Sequence, residues 1–116
     1  MFMNKVDTSA EKILILEDHD KPLITLTHSL TQEGGYHIET TSNPREIFKL
    51  LRQRRPDLIL LDLTLVGESG IRLCERIRQE EDEQVSIILI SDKGSQEDKD
   101  RGFEAGAEDY LVKPLR

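Results

Sequence analysis

At 116 residues the chain has room for one domain, and a hydrophobic fraction of 36% is enough for a single core. Acidic residues outnumber basic ones 23 to 16, and the formal charge of −7 would repel phosphate backbones and anionic lipid, which argues against direct nucleic-acid or membrane partners. The one cysteine, Cys74, excludes an internal disulfide and a cysteine zinc cluster and fits a cytoplasmic location; residues 1–12 lack the apolar core of a signal peptide, and the most hydrophobic stretch, 58–66, is too short to span a membrane and carries Asp62.

Apolar runs alternate with amphipathic stretches along nearly the whole chain, with no repeat or low-complexity linker. Residues 1–11 read as an N-terminal extension, and the domain begins with a strand over 13–16. A helix over 21–32 follows, with Leu23, Leu26, Thr27 and Leu30 on one stripe, Asp20 as its cap and Gly34-Gly35 as its stop. Residues 36–40 form a flanking strand. Asn43 then caps a helix that starts at Pro44, turns Ile47, Leu50 and Leu51 inward, and ends before Pro56 with Arg52, Arg54 and Arg55 in its last turn. A strand over 59–61 leads to a helix over 70–81 capped by Ser69, which faces Leu73, Cys74 and Ile77 to the sheet. The strand 87–90 precedes a weaker helix over 95–105, polar on all sides at first and anchored by Phe103 and Ala107. A last strand covers 109–112. The aliphatic runs 13–16, 59–61 and 87–90 suit central parallel strands buried on both faces, and the alternation predicts a doubly wound α/β sheet.

In such sheets ligands bind beyond the carboxyl ends of the strands. Those ends carry Glu17-Asp18, Asp62, Ser91-Asp92 and Lys113-Pro114. Carboxylates brought together need a cation, and oxygen donors of this kind prefer a hard ion such as Mg²⁺. A lysine and a serine hydroxyl are the groups wanted around a transferred phosphoryl, with an aspartate as its nucleophile. The histidines His19, His28 and His37 lack a metal-binding spacing and read as structural or solvent-exposed.

The segments Ile13-Leu-Ile-Leu-Glu-Asp18, Pro56-Asp-Leu-Ile-Leu-Leu-Asp62, Ile88-Leu-Ile-Ser91 and Ala105-Gly-Ala-Glu-Asp-Tyr-Leu-Val-Lys-Pro114 resemble the receiver domains of two-component response regulators, over nearly the whole chain. The resemblance implies a flavodoxin-like strand order of 2-1-3-4-5 and a signalling domain, not a conventional enzyme, that catalyses its own phosphorylation and dephosphorylation. It implies Asp62 as phosphoacceptor, Asp18 and Asp62 as direct Mg²⁺ ligands, Glu17 reaching the ion through water, and the Thr64 carbonyl completing the set. Ser91 matches the family's switch hydroxyl, Lys113 its phosphate-binding lysine and Tyr110 its aromatic switch. The ring of Tyr110 is expected to turn inward when Ser91 moves to a phosphoryl oxygen. The partner implied is a histidine kinase or phosphotransfer protein; apart from the resemblance, a homodimer is expected through the apolar flank of the sheet around Val112 and Leu115.

Four positions depart from the family pattern. Val66 replaces a usual proline and leaves the shape of the loop 63–70 open. Asp92 adds a carboxylate after Ser91, and Asp100 stands at a commonly apolar helix position. The chain stops at Arg116, before the family's fifth helix, so the receiver domain is expected to be 12–116, truncated, with a flank of the sheet bared around Val112 and Leu115. A haloacid-dehalogenase-like phosphatase is disfavoured because Thr64 stands where a second acid is needed, and a nucleotide or flavin binder because the segment 17–20 is acidic. The alternative function is a receiver-like interaction module that no longer cycles phosphate.

Overall fold

Five short strands form one parallel sheet in a computed structural model that describes residues 11–18, 20, 32, 35–66, 68–81 and 84–115. They are β1 (Lys12–Leu16), β2 (His37–Thr41), β3 (Leu58–Asp62), β4 (Ser86–Ser91) and β5 (Asp109–Val112), in the order β2-β1-β3-β4-β5. The register pairs Leu16 with both Thr41 and Leu61, Asp62 with Ile90, and Ser91 with Val112. All strands are parallel, so their carboxyl ends share one edge of the sheet.

Alternation along the strands divides the core in two. Leu14, Leu16, Ile59, Leu61, Ile87, Leu89 and Tyr110 face the larger cluster, while Ile13, Ile15, Leu60 and Ile90 face the other side with Ile88, Leu111 and Leu115 packed against them. The central strands are aliphatic over 13–16, 58–61 and 87–90 because both faces are covered there. Val112 and Leu115, expected to be bared, are half-buried.

The helices on the larger side begin with a turn of 3₁₀ helix at Pro44–Glu46 and α1 (Ile47–Arg54). Asn43 caps the 3₁₀ turn through its side-chain oxygen, which accepts from the Arg45 N–H at 2.9 Å. Arg55 closes α1 in a left-handed conformation. The segment after Asp62, open in the sequence, forms the one-turn helix α2 (Leu63–Val66), and α3 runs Glu68–Arg76 before a π turn at Ile77–Glu81. Ser69 therefore lies inside α3 instead of capping it. A Cβ on Gly70 would sit 2.3 Å from Leu63 and 2.6 Å from Val66, so only glycine lets α2 pack this closely on α3. The expected inner residues Leu73, Cys74 and Ile77 are buried.

The last described helix, α4 (Gln96–Glu104), is capped by Ser95, whose hydroxyl accepts from the Asp98 N–H at 3.1 Å. Phe103, expected as its anchor, is 44% exposed. The buried line of α4 instead passes through Gly102 and continues to Ala105 and Ala107, because the helix approaches Tyr110 and Leu89 too closely for a side chain. Asp100 is exposed and accepts from the Gln96 amide at 2.9 Å. The expected helix over 21–32 lies outside the described residues except for Gln32, which is helical; His19, His28 and Gly34 lie outside them too, and the described His37 is exposed. Among the described residues no helix is long and apolar enough to cross a membrane.

Candidate functional site

Each sequence-predicted polar residue is carried to the same edge by a strand. Glu17 follows β1, is buried, and donates its backbone N–H to the Thr41 carbonyl at 2.9 Å, which ties it to the end of β2. Thr41 is buried too; its hydroxyl donates to Glu46 at 2.5 Å and accepts the Asn43 N–H at 3.1 Å, fixing the start of the 3₁₀ turn beside the site. Asp18 is half-exposed, and its Oδ1 accepts the Asp20 N–H at 2.8 Å, a local turn of the kind aspartate favours.

Asp62 ends β3 and is only 1% exposed. Its Oδ1 accepts the backbone N–H of Thr64 at 2.9 Å and its Oδ2 accepts the Lys113 ammonium at 3.0 Å. The ammonium also donates to Thr64 Oγ1 at 3.2 Å. A buried carboxylate survives only when it is paired and hydrogen-bonded; Lys113, 51 residues away, supplies the pairing, and the Thr64 N–H, two residues on, supplies a hydrogen bond. Lys113 is placed by its own backbone: its N–H donates to the Ser91 carbonyl at 2.8 Å, extending the β4–β5 pairing by one step.

Ser91 is 3% exposed, and its Oγ accepts the Lys93 N–H at 3.0 Å. The Tyr110 ring is buried, and its hydroxyl donates to the Lys93 carbonyl at 2.8 Å. The ring expected to turn inward in response to a phosphoryl group already faces inward. Asp92 is exposed, with Thr64, Ser91, Lys93, Arg101 and Tyr110 around the same cleft of about 280 Å³. Lys93 was invisible to sequence reasoning, because it acts through its backbone N–H and carbonyl, which any residue supplies.

The three carboxylates do not gather as tightly as their strand positions suggest. Among the described residues no three His, Cys, Asp or Glu side chains form a metal-holding group. Asp62 is turned to Lys113 and Asp18 to the Asp20 N–H, so both Asp62 oxygens and Asp18 Oδ1 have a donor from the protein. A hard ion that keeps several waters needs only one or two carboxylates, and the donors at this edge, Asp18, Asp62 and the Thr64 carbonyl, are all oxygens, so the set fits Mg²⁺.

The sheet order, the buried aspartate at the end of β3 and its lysine partner together define a class of domain. Residues 13–116 match the response regulator receiver domain family, and the chain belongs to it. It is 40% identical over 104 residues to the transcriptional regulatory protein AfsQ1 of Streptomyces coelicolor, covering 90% of this chain and 45% of that one. It is 39% identical over 105 residues to the phosphate regulon transcriptional regulatory protein PhoB of Rhizobium meliloti, covering 90% and 46%. The chain thus spans a little under half the length of these curated relatives. Among solved structures, the signal receiver domain of a DNA-binding response regulator from Colwellia psychrerythraea superposes with a TM-score of 0.80 at 29% identity, over 91% of this chain and 88% of that one.

Proposed function

We propose that this receiver domain, taken as residues 12–116, accepts a phosphoryl group on Asp62 from a histidine kinase or phosphotransfer protein and alters its surface in response. The observation that carries the reading is the Asp62 carboxylate, buried at the end of β3 yet held by the Thr64 N–H and the Lys113 ammonium. An Asp62 oxygen attacks phosphorus as the donor's P–N bond breaks, and the leaving nitrogen keeps the bonding pair and takes up a proton from solvent. The Lys113 ammonium, already 3.0 Å from Oδ2, meets the negative charge spread over the phosphoryl oxygens. Ser91 Oγ exchanges its acceptor role toward Lys93 for donation to a phosphoryl oxygen. Asp18, Asp62 and the Thr64 carbonyl would hold Mg²⁺, with Glu17 as an outer partner, and the ion would supply charge neutralisation for the phosphoryl group. The domain works in the cytoplasm as a signalling element, with its output in a homodimer or in a further part of a longer protein.

Acetyl phosphate or phosphoramidate with Mg²⁺ tests this. A phosphoryl mass adduct is expected that disappears with EDTA and in Asp62→Asn; undiminished labelling of Asp62→Asn would exclude Asp62 as acceptor. A second reading, an interaction module with one fixed surface, is favoured by the inward Tyr110, whose hydroxyl is already bonded to the Lys93 carbonyl. Identical Ser91 and Tyr110 conformations with and without beryllofluoride would support that module over the switch.

A further inference from the structure

On the side of the sheet carrying α1 and α3, a groove of about 480 Å³ runs between the two helices. Its apolar walls are Pro44, Phe48 and Leu73, and its charged residues are Arg45, Arg72 and Arg76. Among the described residues no acidic side chain lines it, in a chain whose formal charge is −7. We infer that this groove docks an acidic protein segment bearing an apolar anchor.

The three arginines are not equivalent. The Arg76 guanidinium lies 4.4 Å over the Phe48 ring and bonds both oxygens of Glu80, at 2.9 and 3.2 Å, so its charge is answered and its stem and plane form part of the groove wall. Arg45 and Arg72 are exposed, and among the described residues neither guanidinium has an ion pair. Two unanswered cations beside an aromatic and aliphatic wall complement a segment that carries carboxylates around a Phe or Leu. A small free anion would use the charges and leave Phe48 and Leu73 idle. A nucleic acid or an anionic bilayer extends well beyond the groove and would meet the net negative charge of the rest of the chain, whereas a short acidic segment is confined to the arginines.

The groove also adjoins the site. Its α3 wall starts beside Gly70, which packs directly on Leu63 and Val66 of the turn that follows Asp62. A segment docked there touches a helix that cannot shift without moving that turn.

The test uses the full chain and an acetylated peptide of Asp and Glu residues around one Phe and one Leu, with its Asn and Gln counterpart as the neutral control. Amide chemical shifts should move saturably at Phe48, Arg72 and Leu73 with the acidic peptide. Replacing both Arg45→Gln and Arg72→Gln should weaken binding about 5- to 20-fold, the sum of two partly exposed ion pairs, while Arg55→Gln, outside the groove, leaves it unchanged. Equal binding of the neutral peptide, or unchanged affinity in the double variant, would overturn the inference. So would phosphatidylglycerol vesicles or duplex DNA shifting the same amides more strongly than the peptide.

Discussion

Removing the Lys113 side chain should destabilise the domain through Asp62, and the size of the effect follows from the geometry. At 3.0 Å the bare attraction between the ammonium and the carboxylate is about 5 kcal/mol for an effective dielectric near 20. Desolvation and side-chain ordering take back a large part, and Lys113 keeps 24% of its side-chain surface in water, so a net coupling of about 2 kcal/mol is expected. Lys113→Ala leaves Asp62, 1% exposed, with the Thr64 N–H as its remaining described donor, and should cost about 2–4 kcal/mol. Asp62→Asn should cost less than about 1 kcal/mol, because Lys113 can turn its ammonium to solvent and the buried charge is gone. In the double variant the lysine's loss should matter far less. Urea unfolding of the four proteins at neutral pH, in EDTA so that no divalent cation replaces the lysine, measures the coupling directly. A coupling below about 0.5 kcal/mol, or an Asp62→Asn variant as unstable as Lys113→Ala, would refute the claim that the pair neutralises a buried charge.

Other outcomes follow from single contacts. Gly102→Ala would set a Cβ 2.9 Å from the Tyr110 ring and 3.0 Å from Leu89, so it should cost about 1–3 kcal/mol in urea unfolding and displace the Tyr110 ring resonances; a neutral substitution would show that α4 has room to move. Tyr110→Phe removes the bond to the Lys93 carbonyl and should cost about 0.5–1.5 kcal/mol, measured in the same way. Because Asp92 faces solvent, Asp92→Ala should lengthen the lifetime of the phosphoryl group by about twofold at most, and a shortened lifetime in a label-loss assay would exclude repulsion as its role. Burial pushes the Cys74 thiol up to about 11, so it stays protonated at neutral pH; iodoacetamide should label it only in denaturant, and rapid labelling of the folded chain would contradict its burial.

The strand pattern needed no tertiary structure to read. Runs such as Ile13-Leu-Ile-Leu16 and Ile87-Ile-Leu-Ile90 are apolar at every position, which suits a parallel strand covered on both faces, and in a parallel sheet the polar groups at their ends share one edge. The candidate site residues stood out for that reason: an Asp ending an aliphatic strand has no packing explanation. Helix interiors were legible where side chains carry a period, as at Ile47, Leu51, Leu73 and Cys74. The strand order came from the resemblance, since local spacing does not encode which strands pair.

Close approach was decided only in three dimensions. Phe103 looked like an anchor by hydrophobicity, yet Gly102 occupies the contact with Tyr110, because helix-to-sheet distance is set by the whole packing and not by one residue's transfer energy. The helical turn after Asp62 depends on a contact between Leu63, Val66 and Gly70 that has no local signature. The inward Tyr110 and the acceptor role of Ser91 both rest on the backbone of Lys93, and a backbone donor or acceptor is common to nearly every residue. Which oxygen of Asp62 meets Lys113, 51 residues away, is likewise a property of the closed sheet, because the two groups are neighbours only once β3, β4 and β5 lie side by side.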